Sequence, residues 1–519
     1  METTNSNISD TTSASQKGSL QLERAYTFFM VPFFYETANA VPDAKEKKTL
    51  WTKDTDKISN EGEDGDVLYS YIMSFLQGQM GEANLKQDHL DIYRLNIDKD
   101  SFWYKKFWSS IVNYDNIAYI PEGKNDQQEN IFHPIKFQIL SGDADGFKAP
   151  HLFIYKAAKI GILTFCVSLS DKDKSMSNLK LLNYHLHKIY KPTCCRCVCP
   201  KLCINTKRKF DNEEDRIKAE NELFKVRKMF APYDETQEYS PYAEFTWDTK
   251  GFVELLLTDV SHILFSKIRM HVFTYCQIDD SKDDVLTKQD LLPDLLKLSR
   301  CVTDKYLLPF EKLEKEGATL ESFENIYYAS SVEGTAIIAV AKKSNKGFIS
   351  QMDGNIRQRY LWIYMLAIIQ RYTLLNMNRQ LMEVDYANDE NKLWCLIDTI
   401  KNVKIRCYYT DVSPYTQHSQ FYQLCCRNLH IKEAFNEIEE KTNALDMTIS
   451  HDLEKGQRRL NLVVGILTVF QVAGVIYEFS KTTEYKIWAT ASTFILGFAI
   501  LCLVINSRKN RRKVSFCYK

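Results

Sequence analysis

Residues Leu460–Phe479 read LNLVVGILTVFQVAGVIYEF, twenty positions without Lys, Arg, Asp or Pro. At a rise of 1.5 Å per residue such a helix is about 30 Å long, the thickness of the hydrocarbon layer of a bilayer, and the expectation is a membrane span. Its polar residues Asn461, Thr468, Gln471 and Glu478 are separated by seven, three and seven positions, which places them on one stripe with Val464 and Val475. Polar groups at hydrocarbon depth cost several kcal/mol unless water or a partner meets them. The stripe therefore predicts a pore lined by one helix per subunit of a homo-oligomer, with Glu478 at the end where a cation enters. The competing reading is that the same side chains only hydrogen-bond between neighbouring helices.

Outward from this stretch, Ile487–Asn506 (IWATASTFILGFAILCLVIN) is a second run of twenty residues, and Ser480–Lys486 leave room only for a tight helical hairpin. Lys455, Arg458, Arg459, Arg508, Lys509, Arg511, Arg512 and Lys513 flank the far ends, against Lys481 and Lys486 in the hairpin. Eight cations against two place both termini inside, in a multi-pass protein of the inner (plasma) membrane with a basic tail over 507–519. Before the first span, Leu424, Ile431, Ile438 and Leu445 recur every seven residues. That spacing predicts a stalk helix over 416–459, continuous with the span as one rod of about 95 Å from Thr416 to Phe479.

The 519-residue chain carries 67 basic and 67 acidic residues, so its charge balance gives no argument for nucleic-acid binding. Residues 1–19 are rich in Ser, Thr and Asn and lack the apolar core of a signal peptide; they are expected to be a disordered tail. Over 20–345, aromatic and β-branched runs such as Tyr26–Phe34, Ile131–Leu140, His151–Tyr155, Ile160–Leu169, Ile268–Ile278, Ile326–Val332 and Thr335–Val340 alternate with helical patterns. A cytosolic α/β domain with a mixed sheet is the expectation, with a hairpin turn at Glu333-Gly334 and a kink at Pro293. Residues 346–415 form a helical connector whose run YLWIYMLAII is too short to span and reads as a buried core helix.

This layout, with Arg459-Leu460-Asn461 and Leu467-Thr468 at the start of the first span, resembles the CorA-type divalent-cation channel family. The resemblance implies a homo-oligomer, a pentamer, contacting membrane lipids and metal cations. The family's Gly-Met-Asn signature is missing: after Ala473-Gly474-Val475-Ile476 the chain reads Tyr477-Glu478-Phe479. A ring of Glu478 carboxylates would attract cations of many kinds and select less by fit than a ring of neutral carbonyls. Members without the signature occur as type III CRISPR antiviral effectors, which implies gating by a nucleotide second messenger on the cytosolic domain. The alternative is a membrane-anchored binding or scaffold protein without conduction.

Fourteen cysteines without a secretion signal point to reduced thiols. Five fall in ten residues, and Cys194, Cys197, Cys199 and Cys203 could hold a tetrahedral zinc, against the alternative of a loop of reduced thiols. No phosphate-binding glycine loop, zinc-protease or nucleophile-elbow motif is present, and Gly142-Asp-Ala-Asp-Gly146 lacks the acidic ligand a calcium loop needs. The chain is expected to have no catalytic residues, and the ligand-binding residues are not legible.

Overall fold

The computed structural model describes residues 19–36, 51–53, 61–62, 65–77, 90–95, 116–124, 130–140, 149–189, 196–199, 245–247, 249–257, 260, 262–265, 269–282, 285–384 and 390–479. The chain divides into two units, the first built from residues 1–369 and 410–430, the second from 370–409 and 431–519.

The strands in chain order are β1 (Arg24–Phe34), β2 (Trp51–Lys53), β3 (Glu61–Gly62), β4 (Gly65–Asp66), β5 (Leu90–Leu95), β6 (Asn116–Lys124), β7 (Asn130–Leu140), β8 (His151–Tyr155), β9 (Ile160–Leu169), β10 (Arg196–Cys199), β11 (Phe245–Trp247), β12 (Ile263–Leu264), β13 (His271–Asp279), β14 (Thr319–Phe323), β15 (Ile326–Ser330) and β16 (Gly334–Ala341). The helices are α1 (Ser70–Gln77), α2 (Met176–Leu186), α3 (Thr249–Leu256), α4 (Lys288–Ser299), α5 (Phe310–Lys315), α6 (Lys346–Asn355), α7 (Leu361–Glu383), α8 (Glu390–Cys407), α9 (Thr416–Asn428) and α10 (Ile431–Phe479). A π-helical turn, Ile356–Tyr360, joins α6 to α7.

One large mixed sheet organises the first unit, in the order β11-β10-β6-β7-β9-β1-β13-β16-β15-β14. Only β13 and β16 pair in parallel along that path; the other neighbours are antiparallel. β1 lies at its centre, and every residue after Arg24 is buried, because helices cover both faces. Phe29 and Phe165 stack on one face beneath Phe252 of α3. On the opposite face Phe28 meets Phe273, which meets Tyr364 of α7, while Tyr328 packs on Tyr360 and on Phe421 of α9. Burying one such ring is worth about 1.5–3 kcal/mol, so the alternating faces of β1 anchor both layers.

Local chemistry explains the irregularities. Pro32 stands opposite Ile162 in the β1–β9 pairing, and on its other side it falls in the gap between β13, whose pairing ends at Met30–His271, and β12, which begins at Phe33–Leu264. Gly334 opens β16 where a Cβ would come within 2.5 Å of the Val272 carbonyl oxygen, so the hairpin needs a residue without one. Helix α4 runs through Pro293, with the expected kink position in its first half, and starts from a capping box between Thr287 and Asp290.

In the second unit Leu393 and Ile397 of α8 pack with Val384, Trp394 and Leu445. Tyr408 stacks on Phe435 at 4.0 Å, and Lys404 pairs with Glu439 at 2.8 Å. The expected rod from Thr416 is broken: α9 ends at Asn428, and His430 takes a left-handed φ of +53° before α10 begins.

The transmembrane hairpin is corrected. Among the described residues no helix is long and apolar enough to cross a membrane. Leu460–Phe479 is the end of a 49-residue helix, and the longest apolar run among its described side chains, Leu462–Leu467, is bounded by Asn461 and Thr468. A span needs about twenty predominantly apolar residues, and Asn461, Thr468, Gln471 and Glu478 break this stretch into shorter apolar runs. The expectations of a membrane protein, an ion channel and a multi-pass inner-membrane location are overturned by the same finding. Ile487–Asn506 lies outside the described residues.

Candidate ligand-binding cleft

The first unit carries an open cleft of about 620 Å³ where the start of β1 meets the ends of β7 and β9 and the flank of α6. Arg24 and Tyr26 enter it from β1, Ser168 from β9, Lys174 from the turn before α2, Ser350, Gln351 and Asp353 from α6, and Arg357 from the π turn. The cleft lies beyond the carboxyl ends of β13 and β16, because the chain leaves β16 at Ala341 and returns as α6.

Three cations and one carboxylate line it, and the carboxylate is shared. Arg357 Nη2 donates to Asp353 Oδ2 at 2.7 Å, and Arg24 Nη1 stands 3.7 Å from the same oxygen. Helical i, i+4 spacing brings the first pair together, and Arg357 is the better covered cation, at 11% side-chain exposure against 45% for Arg24. Lys174 reaches Asp171 at 2.6 Å, but that carboxylate is 93% exposed and competes with water for the pair. Ser168 Oγ donates to the Ala25 carbonyl at 2.8 Å and holds the rim of β1 to β9.

The Tyr26 hydroxyl and the Asp353 carboxylate, both closed to solvent, stand within hydrogen-bonding reach of each other in this wall. Tyr26 is 5% exposed, and burial, followed by the Asp353 charge, raises its phenol well above the ordinary value. Tyr275 is raised by the same two causes and donates to Gln277 Oε1 at 3.2 Å. A neutral buried phenol is an O–H donor, and the Asp353 carboxylate is the acceptor beside it.

The residues singled out from the sequence lie elsewhere. Asn461, Thr468 and Gln471 are exposed on α10, and Thr468 Oγ1 turns back to the Val464 carbonyl at 2.8 Å, a bond within its own helix. Glu478 belongs to that helix, and its side chain lies outside the described residues. Cys197 and Cys199 stand on β10, which pairs with β6 and β11, whereas Cys194 and Cys203 lie outside the described residues. Among the described residues no group of three His, Cys, Asp or Glu side chains is placed to hold a metal ion. Cys166, Cys276, Cys301, Cys425 and Cys426 form no disulfide, whereas Cys395 is disulfide-bonded, against the expectation of reduced thiols throughout.

The Ser413 hydroxyl lies 3.5 Å from His418, but both residues are at most 3% exposed, and burial lowers the histidine to about 4. Ser413 Oγ also donates to the Val67 carbonyl, so the pair ties loops together and is closed to substrate. Sequence reasoning missed the cleft. Its only local signal was the i, i+4 pair Asp353–Arg357 just before an apolar run; Arg24 and Tyr26 looked like the flank of a strand. Comparison with family models, curated proteins and solved structures finds no match.

Proposed function

We propose that the first unit is a non-catalytic sensor that binds a small phosphate-bearing ligand, of which a nucleotide second messenger is one member, in the cleft between β1 and α6. The observation that carries this reading is the lining itself: Arg24, Lys174 and Arg357 share an open space of about 620 Å³ with one lining carboxylate, Asp353, a size that suits a small molecule. Guanidinium groups match phosphate oxygens in pairs, and an incoming phosphate competes with Asp353 for the same N–H donors. The Ser350 and Ser168 hydroxyls of the cleft donate to the Gly347 and Ala25 carbonyls at 2.7 and 2.8 Å, and no histidine is among the lining residues to activate them, which favours binding over turnover.

Calorimetric titration of the full chain with AMP tests it. Binding that falls tenfold or more in both Arg24→Gln and Lys174→Gln is expected, because each removes one charge-assisted hydrogen bond worth about 1.5–3 kcal/mol. Absence of binding by the wild-type chain, or binding by both variants as tight as that of the wild-type chain, overturns it. Product analysis of the same mixtures checks that AMP is recovered unchanged.

A further inference from the structure

The charge left over in the cleft decides which kind of phosphate suits it. We infer that the cleft takes the terminal phosphate of a monoester, a group with close to two negative charges, and discriminates against phosphodiesters, cyclic nucleotides among them. This rests on the anion-binding reading above and narrows its ligand to one charge state.

The lining holds three cations, Arg24, Lys174 and Arg357, and one carboxylate, Asp353, which leaves two positive charges over. Asp353 is already well supplied. Arg357 Nη2 donates to it at 2.7 Å, the buried Tyr26 hydroxyl stands within reach, and Arg24 lies 3.7 Å away. Arg357 and Asp353 are 11% and 14% exposed, so water competes little for their pair, and Arg357 is the last of the three cations to turn to a ligand. The other two are held loosely. Arg24 is 45% exposed, and Lys174 rests on Asp171, which is 93% exposed and is not among the lining residues. The backbone sets these two cations on one rim, since the Leu22 N–H donates to the Lys174 carbonyl at 3.0 Å just before β1 begins at Arg24.

Arg24 has to turn from Asp353 before it can serve a ligand. A phosphodiester carries one negative charge, the same as the carboxylate it replaces at Arg24, and the exchange gains little. A phosphate monoester at pH 7 carries about 1.5 to 2 negative charges and three acceptor oxygens, so Arg24 and Lys174 can each meet a separate oxygen. Its charge matches the two left over by the lining, whereas a diester leaves one of them uncompensated. The shared carboxylate thus sets a threshold that a single charge on the ligand does not clear.

Calorimetric titration of the full chain with three probes tests this: AMP, the 5′-methyl ester of AMP, and adenosine 3′,5′-cyclic monophosphate. All three share base, sugar and phosphorus, and the last two carry one negative charge. AMP is expected to bind about tenfold or more tightly than either diester, the effect of one charge-assisted hydrogen bond. Arg24→Gln and Lys174→Gln, each checked for folding by circular dichroism, should narrow that preference, because each takes away one of the two surplus charges. Equal affinity for AMP and both diesters, or a preference that neither variant narrows, overturns the inference while the anion site stands. If the methyl ester binds as tightly as AMP and the cyclic nucleotide does not, ring closure and not charge is being read, and the inference falls. If no probe binds, the inference and the anion-binding reading fall together.

Discussion

β1 and the C-terminal part of α10 are both apolar segments, and the protein treats them in opposite ways. Phe28, Phe29 and Phe33 of β1 are at most 1% exposed, each packed from above or below the sheet. From Met447 on, no described residue of α10 is buried, and Leu462 and Val464 keep 64% and 52% of their surface. Hydrophobicity is therefore not what distinguishes the two segments. What differs is whether the fold brings a second layer to them, because apolar area stabilises only when it leaves water. The first unit is expected to carry the cooperative stability of the chain, and the far end of α10 to contribute little of its own.

The sharpest way to break this contrast is Phe29→Ala. It removes a ring stacked on Phe165 at 5.3 Å and should cost about 3–5 kcal/mol in chemical denaturation, since the packed sheet cannot collapse into the gap. A cost under 1 kcal/mol would mean that the β1 core is loosely packed.

Acid offers a second probe of the same interior. Burial holds His187 and His418 near pKa 4, whereas in the unfolded chain each titrates near 6.5. The unfolded state therefore binds protons first. Their contribution is full above about 6.5 and is lost as pH falls toward 4, on the order of 2–3 kcal/mol per histidine. Denaturation midpoints measured between pH 7 and 4 should fall, and His187→Gln should flatten part of that slope.

Gly334→Ala tests the edge of the core with a smaller perturbation. Its methyl group meets the Val272 backbone, and a loss of about 1–3 kcal/mol in thermal or chemical unfolding is expected. At the other extreme, Leu462→Ser on α10 should leave the unfolding midpoint within about 0.5 kcal/mol of the parent. A larger loss would show that another surface covers this helix in solution and would remove the contrast.

How much of this was legible follows from the residues themselves. The run YTFFMVPFF announces a doubly covered strand because β-branched and aromatic residues fit a pleated surface, and Glu333-Gly334 announces a hairpin because glycine accepts a backbone that approaches Val272. The same logic misled at Leu460–Phe479, where apolar length and a polar stripe looked like a span and a pore lining. Periodicity along one helix reports which residues share a face, but not what that face meets. The zinc expectation at Cys194, Cys197, Cys199 and Cys203 turns on ligand distances, and Cys194 and Cys203 lie outside the described residues.

By itself the sequence determined the local elements of the first unit, because turn chemistry and side-chain alternation act between near neighbours. Only the tertiary structure decided that Arg24 and Tyr26, at the start of the first strand, would stand beside Asp353 and Arg357, more than three hundred residues later. That meeting depends on the order of strands in the sheet and on the return of the chain from β16 into α6. Contacts between distant residues are selected by the packing of whole layers, and no short window of sequence contains them.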